Sequence, residues 1–279
     1  MHASLQCGRF RLALERPLVM GIVNVTPDSF SDGNAHFRAG EAVAHGLRLV
    51  EEGADLLDIG GESTRPGAQA VPADEELRRI LPVIAGLLDC GVPLSIDTCK
   101  PEVMREALRA GADMINDIGG FSAPGALDAV RDSDCALCLM HMRGEPRTMQ
   151  QDPVYGDVVA EVRGYLADGA RRLREGGVAA DRILLDPGFG FGKTVAHNYA
   201  LLRQLPQAVG TDYPSLVGLS RKSMIGAITG RPASSRLGGS IAGALAAAMR
   251  GAHVLRVHDV ADTVDALRVW SVIEQGVRA

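Results

Sequence analysis

One theme recurs eight times along this chain and constrains its fold more than any other feature: a short apolar run, a polar or glycine-rich turn, then an amphipathic stretch. The runs are Val19–Thr26, Leu56–Gly61, Pro93–Thr98, Met114–Ile118, Ala136–Met142, Ile183–Pro187, Ser215–Ser220 and His253–His258. Most are continuously apolar rather than alternating, the pattern of parallel strands buried on both faces. Parallel neighbours need a crossover, and the intervening segments read as helices. Pro101–Gly111 has Pro in its first turn and Gly at its end, the usual start and stop asymmetry. Pro72–Asp89, with a kink expected at Pro82, Asp157–Glu175 and Asp259–Gln275 all carry apolar residues three and four apart.

Eight such units in 279 residues come to roughly 35 residues each, the arithmetic of a single TIM (β/α)8 barrel of the α/β class. A doubly wound open sheet uses the same alternation, and the count of eight decides for the barrel. No linker, charge block or shift of composition divides the chain, so residues 1–279 read as one domain. Residues 1–17 form an N-terminal extension expected to add strands that close the barrel floor.

A net charge of −5 and an aromatic content of 4% argue against nucleic acid or an anionic membrane as a partner. No run approaches the roughly 18 apolar residues of a membrane span, and the N-terminus lacks the apolar core of a signal peptide. Five irregularly spaced cysteines read as reduced thiols of a cytoplasmic protein. Cys135 and Cys138 have the spacing of a zinc pair, but on a strand an offset of three puts them on opposite faces.

In a barrel the C-terminal strand ends converge on one mouth, where catalytic groups sit. Those ends carry Asn24, Asp58, Asp97, Asn116 with Asp117, Met140 with His141, Asp186, Ser220 to Ser223, and Arg256 with His258. One such Asp or Asn is commonly a turn former or helix cap; a whole ring of polar ends reads as a site. Asp97, Asn116 and Asp186 suit the donor-rich edge of a planar heterocycle, whereas Arg65, Lys222, Arg256 and His258 suit a phosphate or pyrophosphate. Arg65 lies in Gly60–Gly67, a loop with the Gly and Pro content of a shaped binding segment. Gly188–Thr194 resembles a phosphate-binding P-loop, but that pattern needs Gly at position 187, which is Pro. Nucleotide hydrolysis thereby loses its best support, although the glycines still allow backbone to approach a ligand.

Eight segments together resemble the dihydropteroate synthases, pterin-binding barrel enzymes of folate biosynthesis. They are MGIVNVTPDSFSDG (Met20–Gly33), DIGGESTRPGA (Asp58–Ala68), SIDTCKPEV (Ser95–Val103), INDIGG (Ile115–Gly120), LMHMRGEPRTMQ (Leu139–Gln150), LDPGFGFGKTVAHNYALL (Leu185–Leu202), GLSRKSMIG (Gly218–Gly226) and LRVHDV (Leu255–Val260). The resemblance implies condensation of a hydroxymethyl-dihydropterin pyrophosphate with p-aminobenzoate, giving dihydropteroate and pyrophosphate. It also implies dependence on Mg²⁺, a homodimer, and membership of a family that is a sulfonamide target.

Carried over by motif, it implies a pterin pocket of Asp97, Asn116, Asp186 and Lys222, packed by Ile118 and Met140, with Gly190 and Gly218 also among the substrate-binding residues. Arg256 would stack on the pterin and reach the pyrophosphate, which Arg65 and His258 also bind, and Asn24 would be the Mg²⁺ ligand. Thr64, Arg65, Pro66, Phe30, Phe191 and Ser223 correspond to the p-aminobenzoate site. The chemistry agrees: pyrophosphate leaves early, the cation is delocalised into the pterin above Asp97 and Asp186, and an already nucleophilic arylamine attacks. The loops Asn24–Gly33 and Gly60–Gly67 are expected to close over the leaving group. A pterin-dependent methyltransferase and a non-catalytic pterin-binding paralogue are the alternatives. Ser63–Pro66 and the Arg256-x-His258 pair favour the synthase over the methyltransferase, since they answer to a pyrophosphate and an aryl acid, and the intact loop and anion motifs count against the paralogue.

Overall fold

The computed structural model describes residues 4–25, 35–63, 70–145 and 148–276. Every one of the eight apolar runs contains a strand. They are β3 (Leu18–Asn24), β4 (Leu56–Gly60), β5 (Leu94–Asp97), β6 (Met114–Asp117), β7 (Ala136–Met140), β8 (Ile183–Asp186), β9 (Leu216–Val217) and β10 (Val254–Val257), preceded by β1 (Ser4–Cys7) and β2 (Phe10–Ala13). The eight form one sheet in the order β8-β7-β6-β5-β4-β3-β10-β9, and every neighbouring pair is parallel. A parallel bridge between Leu185 and Ser215 joins its two ends, so the sheet closes into a TIM barrel. The run Ser215–Ser220 pairs only over Leu216–Val217, because past Gly218 the chain turns and Lys222 N–H donates to Leu219 O.

The period of two sorts each strand between two cores. Outward-facing Val19, Leu57, Ile96, Ile115, Leu137, Leu185 and Leu255 pack beneath the helices. Inward-facing Met20, Leu56, Met114, Ala136, Leu184, Leu216 and Val254 fill the lower barrel with Leu5 and Cys7. Cys135 belongs to the outer core and Cys138 to the inner one, so the two thiols are on opposite faces. The antiparallel hairpin β1–β2 covers the barrel floor. Buried Asp113, just before β6, ties it down by accepting from Arg9 N, Nε and Nη2 and from Leu94 N.

The helices run over the outside: α1 (Ala35–Glu51), α2 (Ala73–Leu87), α3 (Pro101–Arg109), α4 (Ala126–Val130), α5 (Val158–Glu175), α6 (Val195–Arg203), α7 (Leu205–Val209), α8 (Ser223–Thr229), α9 (Leu237–Ala248) and α10 (Val260–Gln275). The α2 helix continues through Pro82. Asp157 caps α5 by accepting from Val159 N and Ala160 N, an orphan-donor repair typical of a helix start.

Candidate active site at the barrel mouth

One layer above the apolar floor, the inward positions change character. Asp58, Asn116, Asp186 and Arg256 have the same inward parity as the floor residues Leu56, Met114, Leu184 and Val254 two positions earlier, Asp97 shares that of buried Ser95, and the four acidic and amide groups are buried. Register makes neighbours of Asp97 and Asn116, and of Met140 and Asp186. Asp117 has the opposite parity and instead accepts from Gly119 N and Phe121 N, shaping the loop after β6. The ring of polar strand ends is therefore two sets, and only the inward one lines the mouth.

Arg256 lies between two carboxylates. Its Nε donates to Asp58 Oδ2 at 2.5 Å and its Nη2 to Asp97 Oδ2 at 3.0 Å. Asp58 also accepts from Ser95 Oγ at 2.6 Å and from Asn116 Nδ2 at 3.2 Å. Both carboxylates share one cation, so the anionic and cationic sides of the mouth interlock here rather than standing apart. Burial opposes the charge on Arg256, but Asp58 and Asp97 outweigh it and push its pKa higher still. Burial pushes Asp97 up to about 7; Arg256 resists this, and the neighbouring Asp58 adds to it. Among the described residues, Asp97 Oδ1 and Asn116 Oδ1 are buried acceptors with no hydrogen-bond partner. Such groups are costly unless something donates to them.

On the other side, Asp186 Oδ1 accepts from Gly188 N at 2.7 Å, and burial raises the carboxyl's pKa against the pull of Lys222. Lys222 Nζ donates to Phe189 O and stands 4.8 Å from the centre of the Phe191 ring, a cation–π contact. Burial pushes this lysine down to about 8, with Asp186 opposing. A Cβ placed on Gly218 would be 3.7 Å from Arg256 Cβ and 3.8 Å from Lys222 Nζ, so this glycine lies between the two cations. Arg221 holds a left-handed backbone (φ 58°), anchored by its ion pair with Asp259 and by Arg221 N donating to Ser240 Oγ. That strain costs about 1–3 kcal/mol and aims the next residue, Lys222, at the mouth.

Ile118 and Met140 are buried beside this layer, while Gly190 and Phe191 are partly exposed at its rim. Ser223 is exposed at the start of α8. His258 is partly buried, with Nδ1 2.9 Å from Ser220 Oγ. Asn24 ends β3 opposite Gly60, whose other neighbour in the sheet is Asp97. Phe30, Thr64, Arg65 and Pro66, with most of the two loops that carry them, lie outside the described residues. The clamping role of Asp58 was not legible beyond its place among the strand ends. Its signal was parity, since it stands two residues beyond inward-facing Leu56.

A parallel barrel whose mouth lines buried acidic and amide acceptors with interlocked cations is the architecture of a pterin-binding barrel enzyme. Residues 20–258 match the family described as pterin binding enzyme, and the chain belongs to that family. Within it, the chain's place is among the dihydropteroate synthases. It is 51% identical to the dihydropteroate synthase of Escherichia coli K12 over 259 residues, 92% of each chain. The dihydropteroate synthase of Burkholderia cenocepacia, solved in complex with 7,8-dihydropteroate, is 57% identical and superposes with a TM-score of 0.90 over 98% of this chain and 96% of that one. The Xanthomonas albilineans enzyme, solved with 4-aminobenzoic acid, is 56% identical, with a TM-score of 0.93 over 99% of both chains.

Proposed function

We propose that this enzyme condenses dihydropterin pyrophosphate with p-aminobenzoate, by departure of pyrophosphate before attack of the arylamine. The observation that carries the reading is the pair of buried, partnerless acceptors Asp97 Oδ1 and Asn116 Oδ1. A pterin edge, rich in N–H groups, meets that need. Asp58, Asp97 and Asp186 place carboxylates around the ring into which positive charge spreads when the C–O bond breaks. Arg256, bridging Asp58 and Asp97, is the cation that links pterin to pyrophosphate, with Lys222 donating toward the pterin and His258 toward the leaving group. Thr64, Arg65, Pro66, Phe30, Phe191 and Ser223 complete the p-aminobenzoate side in this reading.

Among the described residues no cluster of three or more His, Cys, Asp and Glu forms a metal cage. Mg²⁺ does not require one, because it keeps several waters and takes one or two protein oxygens beside those of a phosphate. The amide oxygen of Asn24, at the mouth end of β3, fits such a partner. Bound there with pyrophosphate, the ion supplies Lewis-acid stabilisation of the departing charge.

Relatives solved with dihydropteroate and with 4-aminobenzoic acid support the choice of substrates. All five cysteines are free thiols, which supports a reducing, cytoplasmic location. Among the described residues no helix is long and apolar enough to cross a membrane. A homodimer is supported by exposed apolar side chains on neighbouring helices: Ile228 of α8, Leu237 of α9, and Val269, Val272 and Ile273 of α10.

The test is pyrophosphate release from purified protein with Mg²⁺ and both substrates. Release that requires p-aminobenzoate, and fails in Arg256→Gln by about 10²–10³-fold, is expected from loss of a charge partner. Pterin binding with no release defeats the reading in favour of a non-catalytic paralogue.

A further inference from the structure

The glycine-rich segment after β8 looks like a phosphate cradle in sequence, yet its lysine turns the other way. Lys193 is buried, only 3% exposed. Its Nζ donates to Gly188 O at 2.8 Å and to Phe191 O at 2.9 Å, and lies 2.9 Å from Nδ1 of buried His141. His141 O is a fourth, longer contact at 3.4 Å; an ammonium has three N–H donors, and the three short contacts use all of them. The two carbonyls between them face elsewhere: Phe189 O accepts from Lys222 Nζ, and Gly190 O from Gln150 Nε2. Asn198 pins the same loop by accepting from Gly190 N at 2.7 Å. Gly188 supplies both the carbonyl held by Lys193 and the N–H that binds Asp186.

We propose that Lys193 is a positioning residue for the reaction: its ammonium, with His141 as acceptor, holds the loop Gly188–Phe191 so that Asp186 and Lys222 meet the pterin in productive geometry. Lys193 is too deeply placed to bind phosphate, and no atom of the substrates need touch it. The position of Phe189 O, the partner of Lys222, is set from beneath by a charge on the far side of the loop. His141 acts as an acceptor only while neutral, and burial together with Lys193 pushes its pKa down to about 3, which keeps it so. Asp186, Lys222 and Arg143 are the other charged groups that bear on Lys193, which burial lowers to about 7. A neutral amine has only two N–H donors for these acceptors, so loss of the proton loosens the clamp.

This inference rests on the synthase reading, and the wild-type enzyme separates the two. If wild type releases no pyrophosphate, the functional reading fails. If wild type is active, Lys193→Met, Lys193→Arg and His141→Phe test the clamp by steady-state kinetics, calorimetric binding of free pterin, and thermal melts. Lys193→Met is expected to lower kcat/KM for the pterin pyrophosphate and the affinity for pterin by about tenfold to a hundredfold. The KM for p-aminobenzoate should stay within about twofold, and Lys193→Arg should recover most of the loss, because a guanidinium can serve several carbonyls. A folded Lys193→Met with wild-type kcat/KM overturns the proposal, as does an equal loss for both substrates. Should Lys193→Met not fold, His141→Phe decides: it keeps the ammonium but removes one acceptor, and a pterin affinity unchanged from wild type overturns the clamp.

Discussion

Asp58 is fully buried and acts on the mouth through Arg256 and Asn116, whose side chains it holds. Replacing it with Asn keeps the shape and removes the charge, leaving Arg256 with Asp97 alone. The negative field of Asp58 is one of the causes that raise Asp97. In Asp58→Asn the Asp97 pKa should therefore fall from about 7, and the acid limb of kcat/KM should move to lower pH. The rate should fall by about tenfold to a hundredfold through the loosened guanidinium. An acid limb that stays in place shows that Asp58 does not control Asp97. Stability carries the same sign. A carboxyl raised on folding binds its proton more tightly in the native state, so between its ordinary value of 3.8 and about 7 Asp97 makes the fold less stable as pH rises. At this scale the sequence was informative about residue type and poor about partners. Asp97, Asn116, Asp186 and Arg256 were evident as strand-end groups, but which carboxylate would hold which cation depends on strands distant in the chain, 198 positions apart for Asp58 and Arg256.

The element that shapes the mouth most tightly is the turn after β8. Gly188 has φ +67°, and a Cβ there would run into His141 O, backbone that cannot yield. Gly188→Ala should destabilise the protein by more than about 2 kcal/mol, combining a left-handed conformation with a backbone clash. Gly164 is the contrast: it is exposed inside α5, and a Cβ added there would meet nothing within 4 Å. Gly164→Ala should stabilise by about 0.5–1 kcal/mol, since alanine loses less backbone entropy in a helix. Urea unfolding of both variants checks the pair, and equal midpoints would contradict this account of the turn. All eight barrel strands were legible because burial on both faces leaves continuous apolar runs. The shortness of β9 was not, because its run stays apolar after the ladder ends, and the turn at Leu219–Lys222 is a tertiary matter.

For the whole molecule, the barrel divides its labour between two ends. The floor is closed by the β1–β2 hairpin and the Arg9–Asp113 pair, and the mouth carries the charged layer. The outer wall adds the apolar side chains on α8, α9 and α10, whose exposure as a group a monomer would leave in water. Sedimentation at micromolar protein should therefore report a dimer, and a monomer at that concentration would remove this support for pairing. By itself the sequence determined the strand–helix alternation, the closed count of eight and the set of polar residues at one end, because these follow from local periodicity and from the rule that strand ends share a mouth. Only the tertiary structure decided that Arg256 is shared between Asp58 and Asp97, that Asp117 and His141 face away from the mouth, and that Lys193 turns inward to His141 and two carbonyls of its own loop. The physical reason is that side-chain parity and inter-strand register turn a one-residue difference in position into opposite faces of a wall, and hydrogen bonds then select partners by distance in space rather than along the chain.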